Sequence, residues 1–318
     1  MTAFQLKTPV AFLIFNRPDT TIRVFEEIRR TRPPKLFVIA DGPRADRPGE
    51  VDKCQAVRAI IDTVDWSCEV LKNYSDVNLG CKVRISSGLD WVFEQVEEAI
   101  ILEDDCLPHP TFFRFCEELL ERFRDDERVG MISGDNFQNG NWTPEESYYF
   151  SRYSHIWGWA SWRRAWLHYD VEIKDWPTQK KKGLLNKVFP ESMISRYRWE
   201  KVFNRVYAGM IDTWDYQWLL TCWKQDCLIC LPKNNLISNI GFGPDATHTT
   251  STASGIARRP VVPLFFPLLH VDKFERAILP DSYTEINHYG NNYYSVIRNI
   301  IDSILKIRLN RTSISGED

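Results

Sequence analysis

A chain of 318 residues can bury a large core, and 43% hydrophobic with 26% charged residues is typical of a globular protein. The 40 Lys and Arg against 43 Asp and Glu give a net charge of −3, which provides no general attraction for nucleic acid. The sequence has no apolar stretch long enough to span a membrane and no signal-like leader before Pro9. Its eight cysteines are scattered, so we expect free thiols and a cytoplasmic protein.

The first hundred residues alternate between short apolar runs and helical patterns. The predicted strands cover residues 9–15, 35–40, 69–71 and 99–102, and the predicted helices begin near residues 18, 51 and 83. This alternation predicts an α/β fold with a parallel sheet and right-handed crossovers. The strand ends then place Arg17, Asp41 and a run of acidic residues along one edge of the sheet.

The acidic run follows the fourth predicted strand directly. Residues 99–102 are apolar, and Glu103, Asp104 and Asp105 come next. Open α/β sheets bind ligands at the carboxyl ends of their strands, and crowded carboxylates repel one another unless a cation is present. One hypothesis is a divalent-metal site that also holds a phosphate-bearing ligand. A solvated acidic strand end is the alternative, and the three residues alone leave both open.

The second half of the chain is richer in aromatic residues. After another predicted strand at 129–133, the 12 tryptophans concentrate between Trp142 and Trp223. Tryptophan stacks on sugar rings in clefts, but it is also common in half-buried cores, so a carbohydrate cleft and an aromatic core both stay open. Residues 239–252 are rich in Gly, Pro, Ser and Thr and predict a mobile loop.

An apolar helical stripe runs through residues 293–305. Packing onto the body of the protein is its commonest role, and a membrane-surface or dimer contact is the alternative. A soft boundary near residue 135 divides the chain into a nucleotide-type half (1–135) and an acceptor or closing half of the same domain (136–260), followed by a C-terminal extension with an amphipathic helix (261–318).

Several short motifs, taken in order, resemble glycosyltransferases of the GT-A fold, and specifically the N-acetylglucosaminyltransferase I family with its bacterial relatives. The motifs are Phe15-Asn16-Arg17-Pro18, Asp41-Gly42, Asn78-Leu79-Gly80, Glu103-Asp104-Asp105 with Pro110-x-Phe112-Phe113, Trp157-Gly158-Trp159, Trp214-Asp215 and Ile240-Gly241-Phe242-Gly243. The resemblance covers Pro9 to about Gly243. It implies a Rossmann-like, three-layer α/β/α fold with a mixed, mostly parallel sheet and an acceptor-side region toward the C-terminus.

The resemblance also implies roles for residues of the first half. Asp105 corresponds to the carboxylate that ligates Mn²⁺ or Mg²⁺, Asp104 to a group facing the ribose, and Glu103 to a group at the hydroxyls of the transferred sugar. Asp41 corresponds to an aspartate that contacts uracil, and Arg17 to an arginine near the pyrophosphate.

In the second half, Asp215 corresponds to the family's catalytic base and Trp214 to a residue beside the donor sugar. The residue types alone would favour Asp215 as a helix-start carboxylate. The family's basic segment after Asn-x-Gly contains a histidine that this chain lacks; Arg84 keeps the charge there, and we assign it to donor binding. His248 is a candidate second metal ligand, with an exposed loop histidine as the alternative.

The function implied is an inverting, metal-dependent glycosyltransferase that moves a sugar from a nucleotide sugar to a glycan, a lipid-linked acceptor or another hydroxyl. A UDP-sugar, with UDP-GlcNAc as one candidate, is the donor implied, and polysaccharide biosynthesis the context. The alternatives are a noncatalytic carbohydrate-binding protein on the same scaffold and a sugar nucleotidyltransferase. Neither nucleic acid nor a particular oligomeric state is indicated, and the C-terminal helix is a candidate for peripheral membrane contact.

Overall fold

The computed structural model describes residues 4–242 and 259–290. Their strands form an eight-stranded sheet and a separate two-stranded ribbon. The strands are β1 (Val10–Ile14), β2 (Lys35–Ala40), β3 (Glu69–Tyr74), β4 (Glu98–Glu103), β5 (Cys106–Pro108), β6 (Val129–Ser133), β7 (Tyr148–Ser151), β8 (Trp159–Trp162), β9 (Leu228–Pro232) and β10 (Ile237–Asn239).

The large sheet has the order β3-β2-β1-β4-β8-β6-β9-β7. Its first four strands are parallel, with Val10 opposite both Leu36 and Ile100. Strand β8 runs antiparallel to β4 and β6, and β7 runs antiparallel to β9, so six of the eight strands share one direction. The predicted mixed, mostly parallel sheet is confirmed.

Helices cover both faces of this sheet. They are α1 (Pro18–Thr31), α2 (Glu50–Ile61), α3 (Gly80–Phe93), α4 (Thr111–Arg122), α5 (Arg163–Trp166), α6 (Trp176–Lys181), α7 (Leu184–Val188), α8 (Met193–Tyr207), α9 (Asp215–Lys224) and α10 (Ile278–Asn287). Helix α1 begins at a proline, whose fixed φ suits a first helical turn and whose missing N–H is not needed there.

Alternate residues of the central strands point into different cores, as the pleat requires. On one face Phe12 packs with α1, α2 and α4, and on the other Leu13 packs with α3 and α9. These two cores make the three-layer α/β/α arrangement predicted from the sequence. A third cluster, built mainly from aromatic residues such as Trp199 and Trp223, joins α6, α7, α8 and α9.

Most tryptophans of the second half belong to these cores rather than to a cleft. Trp159, Trp162, Trp176, Trp199 and Trp218 are fully buried. The aromatic-core interpretation therefore accounts for most of the cluster.

None of the helices within residues 4–242 and 259–290 has the length and apolarity needed to cross a bilayer. The apolar stripe at residues 293–305, with its candidate membrane contact, lies outside the described residues.

Candidate functional site

A cavity of about 520 Å³ opens at the carboxyl ends of β1, β2 and β4. Because β1 lies between β2 and β4, the polar residues that follow these three strands converge there. All but one of the predicted site residues line the cavity: Arg17, Asp41, Arg84, Glu103, Asp104, Asp105, Trp214 and Asp215. The exception, His248, lies outside the described residues together with residues 243–252 of the predicted loop.

Arg17 lies against the acidic run at the base of the cavity. Its Nη2 donates to Asp104 Oδ1 at 2.6 Å and its Nη1 donates to Asp105 Oδ2 at 2.8 Å. The backbone N–H of Phe15 donates to the other Asp104 oxygen at 3.0 Å. Both oxygens of Asp104 are thus engaged by the protein, and this side chain is only 3% exposed.

Carboxylates outnumber cations in the cavity. Its lining contains six acidic side chains and three arginines. Burial, followed by repulsion from Asp105 and Asp104, raises the pKa of Glu103 to about 8. Burial also raises the pKa of Asp104 to about 6, although Arg17 opposes that shift. Burial alone would lower the pKa of Arg17, but attraction to the three carboxylates raises it above its ordinary value. The site therefore has an excess of negative charge that a bound cation would relieve.

Asp41 holds the start of α3 in place. One carboxylate oxygen accepts from the N–H groups of Gly42 and Leu79, both at 2.9 Å. The other accepts from Asn78 Nδ2 at 3.0 Å and from the Gly80 N–H at 3.1 Å. Burial raises its pKa, and the backbone donors oppose that rise. Contact with a uracil ring stays a prediction for Asp41, and the structure gives this carboxylate a clamping role in addition.

Two other arginines line the cavity in fixed positions. Arg84 Nη2 donates to the carbonyl and side-chain oxygens of Asn73 at 2.7 and 2.8 Å, and burial lowers the pKa of Arg84. Arg44 pairs with Glu50 at 2.5 Å, and Glu50 also accepts from Asn16 Nδ2 at 2.8 Å. Arg44 was not predictable from the sequence, because it lies in a loop with no motif of its own.

Asp215 stands on the opposite wall, as the first residue of α9. Thr213 Oγ1 donates to Asp215 Oδ1 and orients this carboxylate. The neighbouring Trp214 is 3% exposed and stacks on Trp159, with ring centroids 5.7 Å apart. Asp215 is thus both a helix-start carboxylate and a cavity residue, so the two interpretations from the sequence are compatible.

The ribbon of β5 and β10 closes the cavity beside Asp105. The backbone N–H of Ile240 donates to the Asp105 carbonyl at 2.8 Å. A Cβ atom on Gly241 would lie 2.1 Å from Asp105 Oδ2 and 2.6 Å from Arg17 Nη1. Only glycine fits here, because the backbone passes so close to the Arg17–Asp105 ion pair.

The donor set fits a divalent cation that is shared with a ligand. Among the described residues, no three His, Cys, Asp or Glu side chains are grouped closely enough to hold a metal by themselves. Asp105 Oδ2 is paired with Arg17, whereas the contact of Oδ1 with the described part of the chain is a long one, 3.4 Å from Cys106 Sγ. One such carboxylate oxygen suits Mg²⁺ or Mn²⁺ when phosphate oxygens and water complete the shell.

Several cavity residues had no role assigned to them from the sequence. They are Arg44, Asn78, Cys81, Asp212, Thr213, Tyr216, Asn239 and Phe242. Four of them lie within the motifs quoted above or beside them, at Asn78, Cys81, Tyr216 and Phe242, so proximity to a motif was the available signal. Asp212 and Thr213 precede α9 and reach the cavity only through the turn into that helix.

No protein-family model and no curated protein sequence matches this chain. Solved structures with a similar fold include a mannosyltransferase from Pyrobaculum calidifontis in complex with GDP-Man and Mn²⁺, at 12% identity, covering 70% of each chain with a TM-score of 0.38. A CMP:2-keto-3-deoxy-manno-octonic acid synthetase complexed with CTP matches at 13% identity, covering 71% of this chain and 89% of that one, with a TM-score of 0.34. A 4-diphosphocytidyl-2C-methyl-D-erythritol synthase from Anaerococcus prevotii matches at 8% identity, over 71% and 88%, with a TM-score of 0.37. Similarities this distant do not identify the function of this chain.

Proposed function

We propose that this protein is an inverting glycosyltransferase that uses a nucleotide-sugar donor, in the first place a UDP-sugar, and a divalent cation. The observation that carries the proposal is the meeting of the acidic run, Arg17 and Asp215 in one cavity of about 520 Å³. That volume lies within the roughly 300–1,000 Å³ of small-molecule sites. The excess of carboxylates supports the cation, because a diphosphate would otherwise be repelled.

The donor diphosphate binds beside the Arg17–Asp105 ion pair in this proposal. Arg17 supplies a fixed positive charge, held in place by Asp104 and Asp105. Mn²⁺ or Mg²⁺, shared between Asp105 and the diphosphate, would add the charge needed to stabilise the leaving group. Glu103 lies beside Asp105 and faces the cavity, where it can accept hydrogen bonds from hydroxyls of the transferred sugar.

Asp215 acts as the general base on the acceptor side. It takes the proton of the acceptor hydroxyl, whose oxygen forms a new bond to the anomeric carbon while the bond from that carbon to the diphosphate breaks. Thr213 orients the Asp215 carboxylate for this step. A base within hydrogen-bond reach typically contributes about 10²–10⁴-fold to the rate.

The test compares Asp215→Asn with Asp212→Asn, since both aspartates line the cavity and lie three residues apart. We expect Asp215→Asn to lower the rate of sugar transfer by on the order of 10³-fold with nearly unchanged donor affinity, and Asp212→Asn to lower it far less. Release of nucleoside diphosphate from a panel of nucleotide sugars measures the rate. Full turnover by Asp215→Asn would exclude it as the base.

The same assay separates the two rival functions. A sugar nucleotidyltransferase would release pyrophosphate from a nucleoside triphosphate, and its fold needs a Gly-rich loop after the first strand. Here that position holds Asn16-Arg17, and helix α1 begins at Pro18. A noncatalytic carbohydrate-binding protein would bind sugars without releasing a nucleotide product.

A further inference from the structure

The surface around α6, α7 and α8 differs in charge from the rest of the chain. Residues 176–210 contain five lysines and three arginines against two glutamates, a net charge of +6 in a protein whose overall net charge is −3. This local excess of positive charge lies within 35 residues, which fold into adjacent helices joined by the third core cluster.

Both glutamates of this stretch are already neutralised. Glu200 pairs with Lys180 at 2.9 Å, and Glu191 pairs with Arg152 and Arg276, which lie outside the stretch. The side chains of Lys181, Lys182, Lys201 and Arg205 are exposed. Within residues 4–242 and 259–290, none of these four takes part in an ion pair. Their charge is thus available to an external anion.

Exposed apolar side chains accompany these cations. Met193 is 77% exposed and Tyr197 42%, and both lie on the outward face of α8 together with Lys201. The Lys201 ammonium group lies 4.8 Å from the centre of the Tyr197 ring. At the end of the helix, Tyr207 is 49% and Met210 71% exposed. The opposite face of α8 is buried, so this outward face is the one left for a partner.

This face also adjoins the candidate active site. Met210 follows the last turn of α8, and the next residues, from Ile211 to Asp215, line the cavity. A partner bound to the face would therefore lie next to the wall that carries Asp215.

We propose that this basic–apolar patch, formed by Lys181, Lys182, Met193, Tyr197, Lys201, Arg205, Tyr207 and Met210, docks the protein onto a membrane surface that contains anionic lipids. Lysine and arginine attract acidic headgroups, while tyrosine and methionine enter the boundary between headgroups and acyl chains. A nucleic acid or another soluble polyanion would use the cations and leave the methionines in water. The docking itself does not depend on the proposed glycosyl transfer, and it would bring a lipid-linked acceptor to the cavity.

The experiment measures sedimentation of the full-length protein with vesicles of neutral phosphatidylcholine or of phosphatidylcholine containing about one-third phosphatidylglycerol. The charge variant is Lys181→Gln/Lys182→Gln/Lys201→Gln. The matched control, Lys7→Gln/Lys53→Gln/Lys273→Gln, removes the same charge from exposed lysines elsewhere. A third variant, Met193→Ser/Tyr197→Ser, removes apolar surface without changing the net charge.

We expect binding to the anionic vesicles only, and its loss at about 0.5 M salt, where surface charges are screened. Each cation near such a surface strengthens binding about fivefold, so the charge variant should bind on the order of 100-fold more weakly, whereas the control should bind like the unaltered protein. The apolar variant should also bind more weakly while keeping its salt dependence. Nucleotide binding to the same variants, measured by calorimetry, shows whether the cavity is intact and separates this proposal from the proposed function.

Three results would overturn the proposal. One is the absence of vesicle binding by the unaltered protein. A second is equal vesicle binding by the charge variant and its control, which would assign docking to another part of the chain such as residues 293–305. The third is binding to soluble heparin without binding to vesicles, which would identify a polyanion site instead.

Discussion

Arg17 and Asp104 form a buried ion pair that organises the base of the cavity. The guanidinium bridges Asp104 and Asp105, and the Phe15 N–H completes the hydrogen bonding of Asp104. Although the resemblance to glycosyltransferases implies a ribose contact for Asp104, both of its oxygens have partners within the protein. We therefore expect Asp104 to serve mainly as the support that positions Arg17.

These contacts predict that substitutions of Asp104 and Asp105 change the free energy of unfolding by different amounts. Asp104→Ala removes one of the two carboxylates that hold the guanidinium and leaves the Phe15 N–H without its acceptor, and it should lower the free energy of unfolding by about 2 kcal/mol. Asp105→Ala should lower it far less, because Asp105 is more exposed than Asp104 and repels Glu103 more strongly. Urea unfolding of the two variants measures the difference. Equal losses of stability would contradict the assignment.

At the level of helices and strands, most of the first half of the chain was predictable from the sequence. Strands β1, β2 and β4 are mainly apolar runs with polar residues after them, a pattern typical of buried parallel strands. The chain order then placed Arg17, Asp41 and the acidic run at one edge, and the sheet confirms that placement.

The elements that the sequence analysis missed have no local pattern of their own. Strand β8 is antiparallel in the middle of the sheet, and all four of its residues are buried, so it shows no alternation. The ribbon of β5 and β10 contains three residues on each side and depends on pairing across more than a hundred residues. The clamp of Asp41 on Leu79 and Gly80 likewise depends on the approach of two loops.

Gly241, two residues after β10, allows a test of the close approach to the Arg17–Asp105 ion pair. Gly241→Ala places a methyl group where Asp105 Oδ2 and Arg17 now meet, so the ribbon or the ion pair has to shift. A shift of about 1 Å at such a site costs on the order of 100-fold in kcat/KM. Turnover kinetics and the thermal midpoint together test this expectation. Full activity of Gly241→Ala would mean that the backbone near residue 241 can shift without displacing Asp105.

At the scale of the whole molecule, helix α10 is attached to the sheet through a buried carboxylate. Asp281 accepts from Ser151 Oγ at 2.5 Å and from the Arg152 N–H at 3.2 Å, and its carboxylate lies 3.7 Å from Arg276 Nε. Burial raises its pKa to about 7 from an ordinary value of 3.8, in spite of these donors.

This raised pKa predicts a pH-dependent stability. As pH rises from about 4 to about 7, the unfolded chain loses the Asp281 proton while the folded protein retains it, so Asp281 makes the folded state progressively less stable over this window. The effect amounts to at most roughly 1.4 kcal/mol per pH unit. The free energy of unfolding of the unaltered protein minus that of Asp281→Asn should therefore be larger at pH 4 than at pH 8. Denaturant titrations of both proteins measure this difference, and the opposite trend would show that the arginines hold Asp281 ionised.

The proposed function requires that the cavity bind a nucleoside diphosphate together with a divalent cation on Asp105. Calorimetric titration of UDP into the protein, with and without Mn²⁺, tests it most directly, and Asp105→Asn serves as the matched variant. We expect UDP binding to require Mn²⁺ and to be lost in Asp105→Asn, while Asp215→Asn should bind UDP like the unaltered protein. Absence of metal-dependent nucleotide binding, or equal binding by Asp105→Asn, would contradict it.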